Sequence, residues 1–229
     1  AQNPGAFAEY AVVPADCVLE IPDSVTYSEA ACIQPLTSCM EQIDTAQIEL
    51  GDTVVVLGQG VMGLGIMQMA RVSGAGRIIT TARRNITLEL SRRLGADEVI
   101  SAKDSSPVEA ILELTRGRGA DIVFDTAGGS PEVGLSGFET LKQALQVVRR
   151  GGKVISVANY SGILEIESRL FRNKKFYSMI INYSRKTAEH LIHLLSVKRI
   201  QVQPTITHQL KGIETVPEAF DITGNKRKY

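Results

Sequence analysis

The sequence predicts an α/β fold in which a doubly wound, six-stranded parallel sheet carries helices on both faces. Strand-like and helix-like segments alternate from Gly51 to about Gly162, which is typical of a parallel sheet with crossover helices. Caps, prolines and glycines separate the segments. Because strands joined through helices run parallel, their carboxyl ends meet along one edge of the sheet, and we expect a ligand to bind there.

Six short apolar runs are predicted as strands. They comprise residues 54–57, 78–80, 99–100, 122–124, 154–157 and 177–181. The helix between the third and fourth strands has a clear start. Ser106 is placed to cap it, Pro107 suits its first position, and Glu109 stands where a capping box needs it.

Two further helices are predicted from their end signals and apolar spacing. One begins at Ser130-Pro131, places residues 138, 141, 145 and 148 on one face, and ends at Arg149-Arg150-Gly151, because cations followed by glycine suit a helix C-terminus. The other covers about residues 186–197 and places one or both of His190 and His193 on its polar side.

A glycine-rich turn at Gly58, Gly60 and Gly63 follows the first strand. In this arrangement the first glycine allows the tight turn, the second lets backbone approach a pyrophosphate, and the third lets the helix lie close to the sheet. Val61 and Met62 begin the helix, whose N–H groups would face the anion. A purely steric role for the glycines is the alternative. The strongly apolar helix that follows favours dinucleotide binding.

The residues at the end of the second strand indicate which dinucleotide the chain binds. An NAD-binding sheet normally presents Asp or Glu about 20 residues past the glycine turn, where the carboxylate accepts hydrogen bonds from the ribose. Here that position is Ala82. Arg83 and Arg84 follow it, with guanidinium groups suited to a 2′-phosphate. We therefore predict NADP(H) rather than NAD(H), the alternative being that the arginines only solvate a helix start.

Composition excludes several classes of partner. Lys and Arg number 25 among 229 residues, as do Asp and Glu, so no net field attracts nucleic acid or an anionic membrane. No apolar run is long enough to cross a bilayer, and residues 1–5 lack a signal-peptide pattern, so we expect a cytoplasmic protein. The three cysteines form no CxxC pair, and buried free thiols are expected.

The two ends of the chain differ from its middle. Residues 1–36 and 203–229 consist of short apolar runs interrupted by prolines and polar residues, and neither end can bury enough apolar surface to fold alone. We expect both to be pieces of a second domain. Residues 37–202 then form the sheet domain.

A series of motifs resembles the medium-chain alcohol dehydrogenase family. In the family's order these are Gly5-Ala6-Phe7-Ala8-Glu9-Tyr10, Ile21-Pro22-Asp23, Glu29-Ala30-Ala31, the glycine turn, Leu94-Gly95-Ala96-Asp97, Gly151-Gly152-Lys153-Val154, Thr207-His208 and Glu218-Ala219-Phe220. The resemblance covers essentially the whole chain. It implies a Rossmann domain, the remnant of a GroES-like catalytic domain, and a nicotinamide-dependent oxidoreductase.

The resemblance also implies further cofactor-binding residues. They are Thr126, Ala127, Val157, Ala158, Asn159 and Asn182. The first two follow the fourth strand near the nicotinamide ribose, the next three follow the fifth strand, where backbone groups grip the carboxamide, and the last lies beside the nicotinamide. For Asp125, a solvated strand end and direct cofactor contact are both compatible with the sequence.

Zinc is implied for the full-length family member. The chain starts after the segments that usually supply a cysteine and a His-Glu pair to the catalytic zinc. Relatives resembling polyol and threonine dehydrogenases have a glutamate before Pro-Leu, where this chain has Gln34. A neutral amide oxygen is a poorer ligand than carboxylate, thiolate or imidazole, so we expect no zinc on this chain. A structural role for Gln34 in a local turn is the alternative to its being a metal ligand.

The activity implied is hydride transfer between NADP(H) and an alcohol or carbonyl substrate. No catalytic residue is assigned. A homodimer or tetramer is implied, formed through the sixth strand at the sheet edge. Two alternatives stay open: a zinc-free NADPH quinone or enoyl reductase, and a non-catalytic dinucleotide-binding protein. Asn159-Tyr160 is similar to the NADP-dependent secondary alcohol dehydrogenases and favours the first function.

Overall fold

A computed structural model describes residues 7–129, 136–179 and 184–225 of the chain. The strands are β1 Thr53–Leu57, β2 Arg77–Ala82, β3 Glu98–Ser101, β4 Ala120–Asp125, β5 Val148–Ser156 and β6 Lys175–Ser178. The helices are α1 Tyr27–Ala30, α2 Ile33–Ala46, α3 Val61–Val72, α4 Asn85–Arg93, α5 Pro107–Leu114, α6 Glu139–Val147, α7 Arg185–Ser196 and α8 Val216–Gly224. Short 3₁₀ turns lie at Ala15–Cys17, Ser168–Phe171, Gln203–Thr205 and Ile213–Thr215.

The strands form one parallel sheet in the order β3-β2-β1-β4-β5-β6. This order confirms the predicted doubly wound α/β fold and is that of a Rossmann sheet. It reverses between β1 and β4, where Leu57 pairs with Asp125 at the carboxyl ends of the two strands. Because ligands bind where the strand order reverses, the crevice lies beyond these two residues.

Two apolar cores cover the two faces of the sheet. On one face α2, α3 and α7 bury side chains such as Cys39, Ile66 and Leu191. On the other face α5 and α6 bury Ile111 and Leu145. The first core buries β1 residues Val54 and Val56 against Ile66 and Met67 of α3, and this packing positions the glycine turn between the two elements.

Several predicted local features are confirmed. Ser106 Oγ accepts a hydrogen bond from the Glu109 backbone N–H at 3.5 Å, and Pro107 is the first residue of α5. His190 and His193 lie on the exposed side of α7. Among the cysteines, Cys39 is buried and Cys32 half-buried, whereas the expectation of burial is wrong for Cys17, which is exposed.

The helix predicted to end at Arg149-Arg150-Gly151 ends earlier. Its last residue is Val147, and Val148 already belongs to β5, where it pairs with Ala120. Arg149 belongs to β5 rather than to the helix end, and its Nε donates to the buried carboxylate of Asp121 at the start of β4. This contact between distant parts of the chain overrides the local helix-end signal. Residues 130–135 of the predicted helix lie outside the described residues.

β6 confirms the sixth strand, although its bounds are shifted. The prediction was 177–181; the strand is observed at Lys175–Ser178, and residues 180 and 181 lie outside the described residues. Among the described strands, β6 pairs with β5 alone and is the last strand of the sheet order. Over the described ranges, none of the helices is both long enough and apolar enough to span a bilayer.

The two described ends of the chain contact each other. The rings of Phe7 and Phe220 meet edge to face with their centroids 5.8 Å apart. The N-terminal segment also contacts α7, because Arg185 Nη1 donates to the backbone carbonyl oxygens of Asp16 and Val18. The division into residues 1–36, 37–202 and 203–229 stays a prediction.

Candidate dinucleotide-binding site

The first and third glycines of the turn are required by its geometry. Gly58 has a φ of +93°, and a Cβ added to it would lie 2.5 Å from the Cβ of Ala127. A Cβ added to Gly63 would overlap the backbone carbonyl of Gly58 and lie 2.9 Å from Thr126 Oγ1. Neither position accepts a side chain without moving its neighbours. These contacts confirm the predicted turn and the close approach of α3 to β1.

The second glycine borders open space. Gly60 is the N-cap of α3, and a Cβ added to it would meet nothing within 4 Å. Val61 is exposed and Met62 half-buried at the first turn of the same helix. Unpaired N–H groups at a helix start attract anions, and a bare glycine lets a phosphate approach them. This open cradle fits the pyrophosphate of a dinucleotide.

Gln59 carries an unsatisfied acceptor inside the glycine turn. The residue is only 3% exposed, and its Nε2 makes one long hydrogen bond, 3.5 Å, to the carbonyl of Val56. Its Oε1 is buried and has no partner among the described residues. A buried amide oxygen normally has a hydrogen-bond partner, so this one calls for a water or ligand at the turn. The spacing of the glycines in the sequence does not indicate this buried amide oxygen.

The carboxyl end of β2 places the two predicted cations at the surface. Ala82 is buried as the last residue of the strand, whereas Arg83 and Arg84 are both exposed. Within the described part of the chain, neither guanidinium has an ion-pair partner. Two arginines beside a strand end that lacks a carboxylate are therefore available to an anion.

Thr126 and Ala127 lie against the glycine turn. Thr126 Oγ1 donates to the carbonyl oxygens of Leu57 and Gly58, each at 2.9 Å. Ala127 packs against Gly58. The loop after β4 and the glycine turn therefore form one continuous edge of the crevice. The cofactor contacts that the resemblance implies for Thr126 and Ala127 stay a prediction.

The residues after β5 lie beside this edge. Val157 and Ala158 donate their backbone N–H groups to the carbonyl of Asp125 at 2.8 and 3.2 Å, and Asn159 accepts from the N–H of Gly129 at 2.8 Å. The structure thus places the predicted residues that follow β1, β4 and β5 at the same carboxyl edge of the sheet. Asn182 lies outside the described residues.

Asp125 is not a solvated strand end. Its exposure is 0%, Tyr160 Oη donates to its Oδ2, and the Ala127 N–H donates to its Oδ1 at 3.3 Å. Burial raises the pKa of the Asp125 carboxyl in spite of these hydrogen bonds. Burial and the neighbouring carboxyl also raise the pKa of Tyr160. This polar pair unites distant parts of the sequence and was missed in the sequence analysis.

Comparison with known proteins identifies the family. Residues 61–197 match the profile of the zinc-binding dehydrogenases. The chain belongs to this family. An NADP-dependent isopropanol dehydrogenase of Clostridium beijerinckii is 32% identical over 234 residues, which cover 98% of this chain and 64% of the relative. An L-threonine 3-dehydrogenase of Pyrococcus abyssi (strain GE5 / Orsay) is 29% identical over 221 residues, 95% of this chain and 61% of the relative.

A solved structure shows the same fold. A protein described as a zinc-binding dehydrogenase, from Sinorhizobium meliloti 1021 and bound to NADP, has a TM-score of 0.83 and 29% identity. The match covers 96% of this chain and 62% of that one. The chain spans about three-fifths of the length of the curated relatives it matches. The resemblance stated from the motifs is confirmed.

The described residues do not fit a zinc centre. Across 7–129, 136–179 and 184–225, no three side chains of His, Cys, Asp or Glu come together as ligands. Gln34 is exposed at the second position of α2, and its backbone carbonyl accepts from Thr37 Oγ1 at 2.7 Å. An amide alone does not supply the three protein ligands that a catalytic zinc needs. We assign no zinc chemistry to these residues.

Proposed function

We propose that this chain binds NADP(H) and that the protein it represents transfers hydride between this cofactor and an alcohol or carbonyl substrate. The observation that carries the proposal is a pair of exposed arginines beside Ala82 that have no ion-pair partner among the described residues, in a sheet with an open glycine cradle. Guanidinium groups recognise a phosphate dianion strongly, and the missing carboxylate removes the usual partner of an unphosphorylated ribose. The NADP-dependent relative and the NADP-bound neighbour support this choice.

Different groups of the chain bind different parts of the cofactor. Arg83 and Arg84 hold the 2′-phosphate, and the N-terminus of α3 with Gly60 holds the pyrophosphate. The loops after β4 and β5 receive the other half of the dinucleotide and fix its orientation. When bound, the nicotinamide supplies or accepts the hydride. The protein's contribution is orientation and exclusion of water, which lower the entropic part of the barrier.

The test follows the nicotinamide absorbance of the longest product of the gene with NADPH and three substrate classes: simple ketones or aldehydes, quinones, and α,β-unsaturated carbonyl compounds. The proposal expects oxidation of NADPH by ketones or aldehydes and the reverse reaction from alcohols with NADP⁺. Turnover of quinones or enones alone would identify a reductase of another kind. Tight NADPH binding with no turnover of any class would identify a non-catalytic binding protein.

We also propose that two copies pair through the outer edge of β6, which pairs with no further strand among the described residues. An exposed edge strand offers unpaired backbone groups that a second sheet can use. Its residues Lys175 and Phe176 are exposed. Sedimentation of the protein should show a dimer or tetramer, and a proline introduced at Phe176 should weaken it if the edge forms the interface.

A further inference from the structure

Asp125 and Tyr160 connect two loops at the carboxyl edge of the sheet. Tyr160 Oη donates to Asp125 Oδ2, and Ser156 Oγ donates to Tyr160 Oη at 3.3 Å. The ring of Tyr160 stacks on Phe138 with centroids 5.0 Å apart and an interplanar angle of 15°. The phenol is therefore held by a ring on one side and by a buried carboxyl at its tip.

The same two residues contact the backbone of both loops. Asp125 Oδ1 accepts from the Ala127 N–H, and the backbone carbonyl oxygen of Asp125 accepts from the N–H groups of Val157 and Ala158. A Cβ added to Gly128 would lie 2.6 Å from the Cβ of Ala158 and 2.7 Å from Cε1 of Tyr160. The loop after β4 thus lies directly against the loop after β5, and the Asp125–Tyr160 bond closes the contact.

The position of this contact in the crevice follows from the sheet order. The arginines lie at the end of β2 and the glycine turn at the end of β1, so the phosphates occupy that side. A dinucleotide that crosses the reversal point must continue over the ends of β4 and β5. The second nucleoside then meets the two joined loops, while the adenosine half does not.

We propose that the Asp125–Tyr160 hydrogen bond is a latch that holds these two loops in the shape required by the nicotinamide half of the cofactor. Both are positioning residues, and the inference rests on the proposed function. A hydroxyl and a carboxyl are costly to bury, whereas a phenylalanine at position 160 would fill the same space and keep the stacking on Phe138. The polar pair therefore serves orientation beyond simple packing.

The test compares two ligands on one variant. Tyr160→Phe removes the hydrogen bond and keeps the ring, and calorimetry measures the Kd of NADP⁺ and of 2′,5′-ADP, which carries the 2′-phosphate but no nicotinamide nucleoside. The latch predicts NADP⁺ binding weakened about 3- to 10-fold, the usual range for one lost hydrogen bond. The Kd of 2′,5′-ADP should stay within about 2-fold, since that ligand ends before the latch.

Tyr177→Phe is the matched control. Tyr177 lies on β6, is half-buried, and its hydroxyl makes no hydrogen bond to a described residue. This variant should leave both constants unchanged. Asp125→Asn replaces one of the two carboxylate oxygens by an NH2 donor, so the side chain can no longer accept from both Tyr160 Oη and the Ala127 N–H. This second variant should also weaken NADP⁺ selectively. Thermal melting verifies that each variant is folded.

Two results would overturn the latch. One is an equal loss of affinity for both ligands, because a general loss of structure would affect the adenosine half as well. The other is unchanged NADP⁺ binding in folded Tyr160→Phe. Failure of the proposed function is a different result, because the unmodified protein would then bind 2′,5′-ADP no better than 5′-AMP.

Discussion

The two sides of the crevice are built in opposite ways. At the end of β2, Arg83 and Arg84 are exposed and have no ion-pair partner among the described residues. At the ends of β4 and β5, Asp125 is buried and Tyr160 half-buried, and they bind each other. The first side presents positive charge at the surface, whereas the second holds a hydrogen-bonded polar pair in the interior.

Because of this difference, substitutions on the two sides should affect ligand affinity and the free energy of unfolding differently. An exposed cation that contacts only solvent contributes little to the free energy of unfolding, so its substitution should change ligand choice alone. A buried hydrogen-bonded group affects both, because removing it leaves a partner without a bond. Variants on the two sides should therefore give different combinations of melting temperature and affinity.

The largest effect is expected where the two sides join. Gly63→Val would push a branched side chain into the Gly58 carbonyl and Thr126 Oγ1, so the turn and α3 must separate. We expect a loss of about 3 kcal/mol in the free energy of unfolding and no measurable NADPH binding. Denaturant unfolding and calorimetry measure the two quantities.

Gly60→Ala is the matched control for that variant. Its added Cβ meets nothing in the protein, and its φ of −83° suits alanine, so stability should change by less than about 1 kcal/mol. NADPH binding should still fall, because the methyl group occupies the phosphate cradle. A fully active Gly60→Ala variant would show that the pyrophosphate binds elsewhere.

The next effect concerns the arginines. The double substitution Arg83→Gln and Arg84→Gln should weaken NADPH by about 100-fold, since charge-assisted hydrogen bonds contribute about 1.5–3 kcal/mol each and exposure reduces this. NADH affinity and the melting temperature should stay the same. Adding Ala82→Asp should then raise NADH affinity. Parallel loss of NADPH and NADH binding would mean that the arginines act on structure rather than on the 2′-phosphate.

A smaller effect distinguishes two aspartates on β4. Burial acts to raise the pKa of Asp121, but the Thr53 N–H and the Arg149 and Arg118 guanidiniums outweigh it and lower the pKa below 3.8. Its stabilisation is therefore complete above the ordinary pKa and is lost as pH falls through the lowered one. Asp121→Asn should cost about 1–2 kcal/mol at neutral pH and progressively less in acid.

Asp125 should behave in the opposite sense. Burial raises the pKa of the Asp125 carboxyl, so the protonated carboxyl stabilises the folded protein at acid pH. This stabilisation is lost as the pH rises from the ordinary aspartate pKa through the raised pKa of Asp125. Asp125→Asn should therefore cost less stability at neutral pH than Asp121→Asn. Melting temperatures of both variants across the acid range measure the difference, and parallel curves would contradict the opposite pKa shifts.

The smallest effect is the dependence on salt. Exposed charges are screened within about 8 Å at physiological ionic strength, so the preference for NADPH over NADH should fall a few-fold as salt is raised. The melting temperature difference between Tyr160→Phe and the unmodified protein should not change with salt, because the carboxyl that Tyr160 contacts is buried. Titrations at two salt concentrations make the comparison.

The sequence predicted what depends on local pattern and left out what depends on distant contacts. The glycine turn, the strand runs and the Ser106 cap are coded by neighbouring residues, and the structure confirms them. The end of α6 was predicted too late, because the pairing of Val148 with Ala120 is a tertiary contact. The Asp125–Tyr160 pair and the unsatisfied Gln59 amide are likewise set by three-dimensional packing, which no periodicity records.

Calorimetric titration of the unmodified chain with NADPH and with NADH, at one low salt concentration, measures whether the chain distinguishes a 2′-phosphate from a free ribose. If Arg83 and Arg84 bind this phosphate, NADPH should bind at least about 10-fold more tightly than NADH, which is about 1.4 kcal/mol of differential free energy from the phosphate alone. Equal affinities, or tighter binding of NADH, would contradict the assignment of Ala82, Arg83 and Arg84 as a 2′-phosphate site.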